Sequence, residues 1–66
     1  TIRGRLLAYF EDQAENAGSE TFEIPFNRNE LADYLCVDRS AMSRELGRMK
    51  KEGLLDFSRK AFRLQV

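Results

Sequence analysis

Apolar residues return every fourth position through the start of the chain: Ile2, Leu6, Phe10 and Ala14, with Leu7 beside them. That spacing predicts a helix over Ile2–Ala17 with one apolar stripe, and Gly18 stands where such a helix would end. The pattern then changes to alternation, with Phe22, Ile24 and Phe26 set against Glu23 and Pro25, which predicts a short strand over Thr21–Phe26. Pro25 lacks an N–H and confines that strand to a sheet edge or to its last residues. Asn27 reads as an N-cap with Glu30 three positions on, opening a helix over Arg28–Leu35 that buries Leu31, Ala32 and Leu35. Cys36-Val37 is a short turn, and Asp38 caps a third helix running to about Glu52 and stopped by Gly53. Leu54–Phe57 and Ala61–Val66 read as two strands around Ser58-Arg59-Lys60, a hairpin tip without the Asn-Gly or Asp-Gly signal. Helix, strand, helix, helix, hairpin is an α+β winged helix-turn-helix: three helices, a small antiparallel sheet and a wing. The helix-turn-helix falls at about residues 28–52 and the wing at about 54–66 of one domain spanning 1–66.

The third helix has two unlike sides. At about 100° per residue from Arg39, the residues Met49, Met42, Gly53 and Leu46 fall between about 280° and 340°, a narrow stripe for the core. Ser43, Gly47, Ser40, Lys51 and Arg44 fall between about 40° and 140°, with Arg39 at the edge in the first turn. Everything on that outer side is small or basic. Small residues let a helix sink into a groove about 12 Å wide, where Arg39, Ser40, Ser43 and Arg44 offer hydrogen-bond donors to base edges. Gly47 points the same way, because a mid-helix glycine costs roughly 1 kcal/mol against alanine.

Charge sharpens this. The formal net charge is zero, but residues 1–38 carry three basic and eight acidic side chains and residues 39–66 carry eight and three, so −5 faces +5. A polyanion responds to charge within about 10 Å, so the basic half outweighs the total. A single cysteine and no histidine exclude an internal disulfide, a multi-cysteine metal site and imidazole chemistry, and no cofactor is called for. Glu11, Asp12 and Glu15 lie on an open helix face and read as solvated charge, so no catalytic residue is assigned and an enzyme is not expected. No apolar run approaches the roughly 20 residues of a membrane span. The chain begins with threonine already inside a helical pattern, which reads as a fragment of something longer.

The runs Ile24–Arg28, Glu30–Leu35, Val37–Ser40, Ser43–Leu46 and Glu52–Leu55 resemble the C-terminal DNA-binding domain of the Crp/Fnr family of bacterial transcription regulators. The resemblance covers essentially the whole chain. It implies sequence-specific binding of duplex DNA at a palindromic operator by a cytoplasmic homodimer, with RNA polymerase as a further partner. It also implies an N-terminal effector domain and dimerisation helix before Thr1, whose effector these residues do not name. Arg44 would read a guanine, with Arg39, Ser40 and Ser43 as neighbouring contacts; Asn27, Arg28, Lys51 and the wing-tip residues Arg59 and Lys60 would meet phosphates.

Two positions depart from the family pattern. Cys36 stands where a turn glycine is usual, so either the turn is mildly strained or its geometry differs slightly, and we expect a buried, inert thiol. Ser40 stands where some members have glutamate, so their half-site sequence does not transfer. The rival reading is a winged helix that packs its third helix on a protein, which would call for exposed aromatic or aliphatic anchors there.

Overall fold

The computed structural model describes residues 1–65; Val66, to which the sequence extends the second wing strand, lies outside the described residues. The order is α1 (Ile2–Ala17), β1 (Thr21–Glu23), α2 (Arg28–Leu35), α3 (Arg39–Lys51), β2 (Leu55–Ser58) and β3 (Ala61–Leu64), a winged helix-turn-helix. The sheet is antiparallel throughout in the order β1-β3-β2, so the last strand of the wing lies in the middle. The first strand ends three residues short of the alternating run that predicts it. The Ile24 N–H still reaches the Lys60 carbonyl at 3.0 Å, but Pro25 has no donor with which to go on.

Each helix starts on a side chain that satisfies an otherwise orphaned amide. The Thr1 hydroxyl accepts from the Gly4 N–H at 2.9 Å and the Asp38 carboxylate from Ala41 at 2.8 Å. At α2 the box is reciprocal: Asn27 Oδ1 accepts from the Glu30 N–H, and Glu30 Oε1 accepts from the Asn27 N–H, both at 2.8 Å. Gly18 closes α1 in the left-handed region at φ 65°, as its position predicts.

The core is built from one face of every element. Leu6 and Phe10 of α1, Leu31 of α2, Met42, Leu46 and Met49 of α3, Leu55 of β2 and Phe62 of β3 are almost wholly buried. Phe62 stacks on Phe10 with ring centroids 4.5 Å apart and also meets Phe22 and Phe57, fastening the sheet to α1. Burying such a ring contributes about 1.5–3 kcal/mol, a large share in a domain this small. Tyr9, outside the four-residue repeat, joins the core on α1, and burial pushes its hydroxyl pKa up.

The turn between α2 and α3 corrects one expectation. Cys36 is exposed rather than buried. It is the residue that takes the left-handed conformation, φ 57°, and its N–H reaches the Asp33 carbonyl while the Val37 N–H reaches that of Ala32. That reversal carries Val37 back onto the core and leaves the thiol outside. A side chain in that region costs of order 1 kcal/mol, which glycine avoids. The wing makes the same concession at Arg59, φ 56°, in a two-residue connection between the paired residues Ser58 and Ala61.

Candidate nucleic-acid interface

Helix α3 sits with Met42, Leu46 and Met49 inward, so its other side must face out. Arg39, Ser40, Ser43, Arg44, Gly47 and Lys51 are all exposed, as the angular reading predicts. Among the described residues, none of the side chains of Arg39, Ser40, Ser43, Arg44 or Lys51 forms a hydrogen bond or ion pair within the domain. A Cβ added at Gly47 would meet nothing within 4 Å, so no internal packing demands glycine there. The face carries donors and cations with no intramolecular use.

The basic residues nearby are engaged. Arg48 pairs with Glu45 at 3.0 Å, and Lys50 pairs with Asp56 at 3.2 Å while lying 4.7 Å from the Phe57 ring centre. Arg3, in the first turn of α1, donates through Nε to Glu45 at 2.5 Å and through both terminal nitrogens to Glu52 at 2.9 Å. Those hydrogen bonds hold the Glu45 and Glu52 carboxyls below their ordinary range, Arg3 being the largest cause for both. The hydrogen bond from Lys50, with one from the Phe57 amide, does the same for Asp56. Arg5 donates to the carbonyls of Leu35 (2.9 Å) and Cys36 (3.3 Å), bracing the turn that aims α3. Sequence periodicity does not reveal these roles for Arg3 and Arg5, because their partners lie 30 to 49 positions away in sequence.

Four of the five residues expected on phosphates, Asn27, Arg28, Arg59 and Lys60, line one open cleft of about 310 Å³ between the start of α2 and the wing tip. Lys51 is not among its lining residues and lies at the end of α3. Asn27 already uses its side-chain oxygen as a cap. Arg28 has an aromatic setting. It is half-buried, with its guanidinium carbon 5.1 Å from the Phe57 ring centre and 4.9 Å from that of Phe62, and burial lowers its pKa. Arginine still keeps its charge in such a setting.

Tyr34, on α2, is the large apolar side chain left exposed among the described residues, at 61%. The outer face of α3 has no such anchor, which weighs against its packing on a protein partner. Among the described residues no group of three or more histidine, cysteine, aspartate or glutamate side chains could hold a metal ion, and no helix is long and apolar enough to cross a membrane.

Residues 4–66 match the family of Crp-like helix-turn-helix domains. The chain is 36% identical over 64 residues to a probable transcriptional regulator, flp, of Lacticaseibacillus casei, covering 97% of this chain and 29% of that protein. It is 37% identical over 41 residues to the transcriptional activator protein FnrL of Cereibacter sphaeroides, covering 62% of this chain and 16% of that one. The chain thus spans less than a third of the length of either relative. It belongs to the Crp-like helix-turn-helix domains of the Crp/Fnr family, DNA-binding modules of transcription regulators and not enzymes.

Proposed function

We propose that α3 enters the major groove of duplex DNA, with Arg44 paired to a guanine and Arg39, Ser40 and Ser43 on adjacent bases or phosphates. The observation that carries this is the outer face of α3, where those four side chains are exposed and unengaged. An arginine free of internal partners can present two N–H groups to guanine O6 and N7, the commonest base-specific contact in the groove. Lys51, Arg28, Arg59, Lys60 and Asn27 hold the flanking phosphates, which position the domain without reading sequence.

The protein to which the domain belongs works as a two-fold homodimer on a palindromic operator in the cytoplasm, with an effector domain before Thr1 and RNA polymerase as the partner at the promoter. Size supports the dimer. The domain measures 29 × 24 × 20 Å, while two recognition helices on successive turns of one DNA face stand about 34 Å apart. One copy covers about one half-site. The apolar stripes of all three helices are spent on the core, so the two-fold contact must come from outside these residues.

The test starts by selecting bound sequences from a random duplex pool with the full-length protein. The 66-residue chain and the full-length protein are then titrated against the palindrome recovered and against its isolated half. Tight binding of the palindrome by the full-length protein alone, falling steeply with salt, is the expected result. Equal nanomolar binding of the half-site by the chain, or a tight dimer of the chain in sedimentation, overturns the dimer. Recovery of no common sequence overturns base reading.

A further inference from the structure

Resting on the reading that this domain holds duplex DNA, we propose that Phe57, with Phe62 beneath it, is a positioning residue for the backbone contact. The two rings hold the Arg28 guanidinium in place so that its N–H groups meet a DNA phosphate in the cleft shared with Arg59 and Lys60.

A guanidinium is flat, with an apolar face and all five N–H donors in its plane. A ring against the face leaves the edge donors free, which an ammonium cannot match. Arg28 has the two rings 5.1 and 4.9 Å from its guanidinium carbon. Among the described residues it has neither an ion pair nor a side-chain hydrogen bond, and no buried side-chain nitrogen is left without a partner. Its donors therefore reach solvent, and Arg28 lines the cleft with Arg59 and Lys60. A free arginine side chain has many rotamers, and a phosphate contact would otherwise have to freeze them on binding. Stacking removes part of that cost during folding.

The wing strands thereby take on a second task besides closing the core. Phe62 is buried, but Phe57 is only half-buried and lies two positions before Arg59, so the residue beside Arg28 also belongs to the strand that leads into the tip carrying the other two cations. Phe57 also receives Lys50, whose ammonium is 4.7 Å from the ring centre, so removing the ring disturbs two cations. A double-mutant cycle isolates the part that runs through Arg28.

The chain, with Phe57→Leu, Phe57→Tyr, Arg28→Lys and the double variant Arg28→Lys/Phe57→Leu, is titrated with a fluorescent mixed-sequence 20-base-pair duplex at fixed salt. Circular dichroism and urea midpoints confirm folding. Phe57→Leu and Arg28→Lys should each weaken binding by about two- to fivefold, the size of a cation–ring contact at a partly exposed site. Phe57→Tyr should bind like the original, and Phe57→Leu should cost clearly less once Arg28 is lysine, the remainder being the part that runs through Lys50. Original affinity in Phe57→Leu, or the same loss in both backgrounds, overturns the proposal. If Phe57→Leu does not fold, Arg28→Lys decides: a two- to fivefold loss supports the stack and unchanged affinity refutes it. Failure of the unaltered chain to bind the duplex in a salt-dependent way would instead overturn the DNA reading itself.

Discussion

The two sides of α3 hold the same kinds of side chain in opposite employment. On the outer face Arg39, Arg44 and Lys51 have no partner among the described residues. On the sides turned to α1 and to the wing, Arg48 and Lys50 are neutralised by Glu45 and Asp56, and Arg3 of α1 closes on Glu45 and Glu52. An internally paired cation has little potential left to offer a phosphate, whereas an unpaired one releases a counterion when it binds. Around α3 the formal charge of zero therefore conceals a division of labour: Glu45, Glu52 and Asp56 engage the cations on its packed sides, and Arg39, Arg44 and Lys51 are left bare where a polyanion would lie.

The sharpest way to break that contrast is Arg44→Ala. If the bare face reads bases, removing a bidentate arginine–guanine pair should cost about 1–3 kcal/mol at one base pair of each half-site, with preference at that position lost. Binding-site selection with the variant checks it. An unchanged preference would mean that the exposed face lies along the backbone only.

Neighbours in sequence provide the next contrast. Lys50 and Lys51 differ by one helical step, yet Lys50 is held by Asp56 and Phe57 while Lys51 is unpaired. Lys51→Ala should weaken every duplex about equally and reduce the salt slope by roughly one unit, while Lys50→Ala should leave the slope nearly unchanged. Equal slopes for the two variants would show that pairing within the domain does not decide which cations the DNA sees.

Gly47 tests the face from the side of stability. Alanine there meets open space and suits a helix better, so Gly47→Ala should raise the unfolding free energy by about 0.5–1 kcal/mol, read from the urea midpoint. The same methyl group would stand between helix and groove, so DNA affinity should fall as stability rises. A variant both more stable and equally tight would place the close approach elsewhere along α3.

What could be read from the sequence alone follows the range of the interactions. The three helices and the caps at Asn27, Asp38 and Gly18 are legible because periodicity and these capping residues act within a few residues, whereas the Thr1 cap carries no such signal in the sequence reading. The outer face of α3 was legible for the same reason, since a 100° step fixes which side chains share a side once the apolar stripe is placed. The exposure of Cys36 is not legible in the sequence because it depends on which turn residue, Cys36 or Val37, folds back on the core. The aromatic setting of Arg28 is not legible in the sequence because Phe57 and Phe62 come from strands about 30 residues on. The middle place of β3 was likewise invisible, being a matter of how the wing returns to β1.

The smallest effect belongs to the paired side and is read through pH. Glu45 and Glu52 are held below the ordinary glutamate value of 4.5, first of all by their hydrogen bonds to Arg3. A carboxyl depressed in the folded state takes up its proton more readily when unfolded, so its stabilising contribution is complete above the unfolded value. Below about pH 4.5 the unfolded chain binds protons first, and the contribution fades until the folded carboxyls protonate as well. Arg3→Met keeps much of the side-chain bulk and removes the partner. It should lower stability modestly at neutral pH, because partly exposed ion pairs are weak, and the difference from the original should shrink as pH falls through this range. Urea midpoints of both proteins from pH 7 down to pH 3 measure it. A gap that stays constant across that range would assign the effect of Arg3 to packing and not to its carboxylates, and would remove half of the contrast between the two sides of α3.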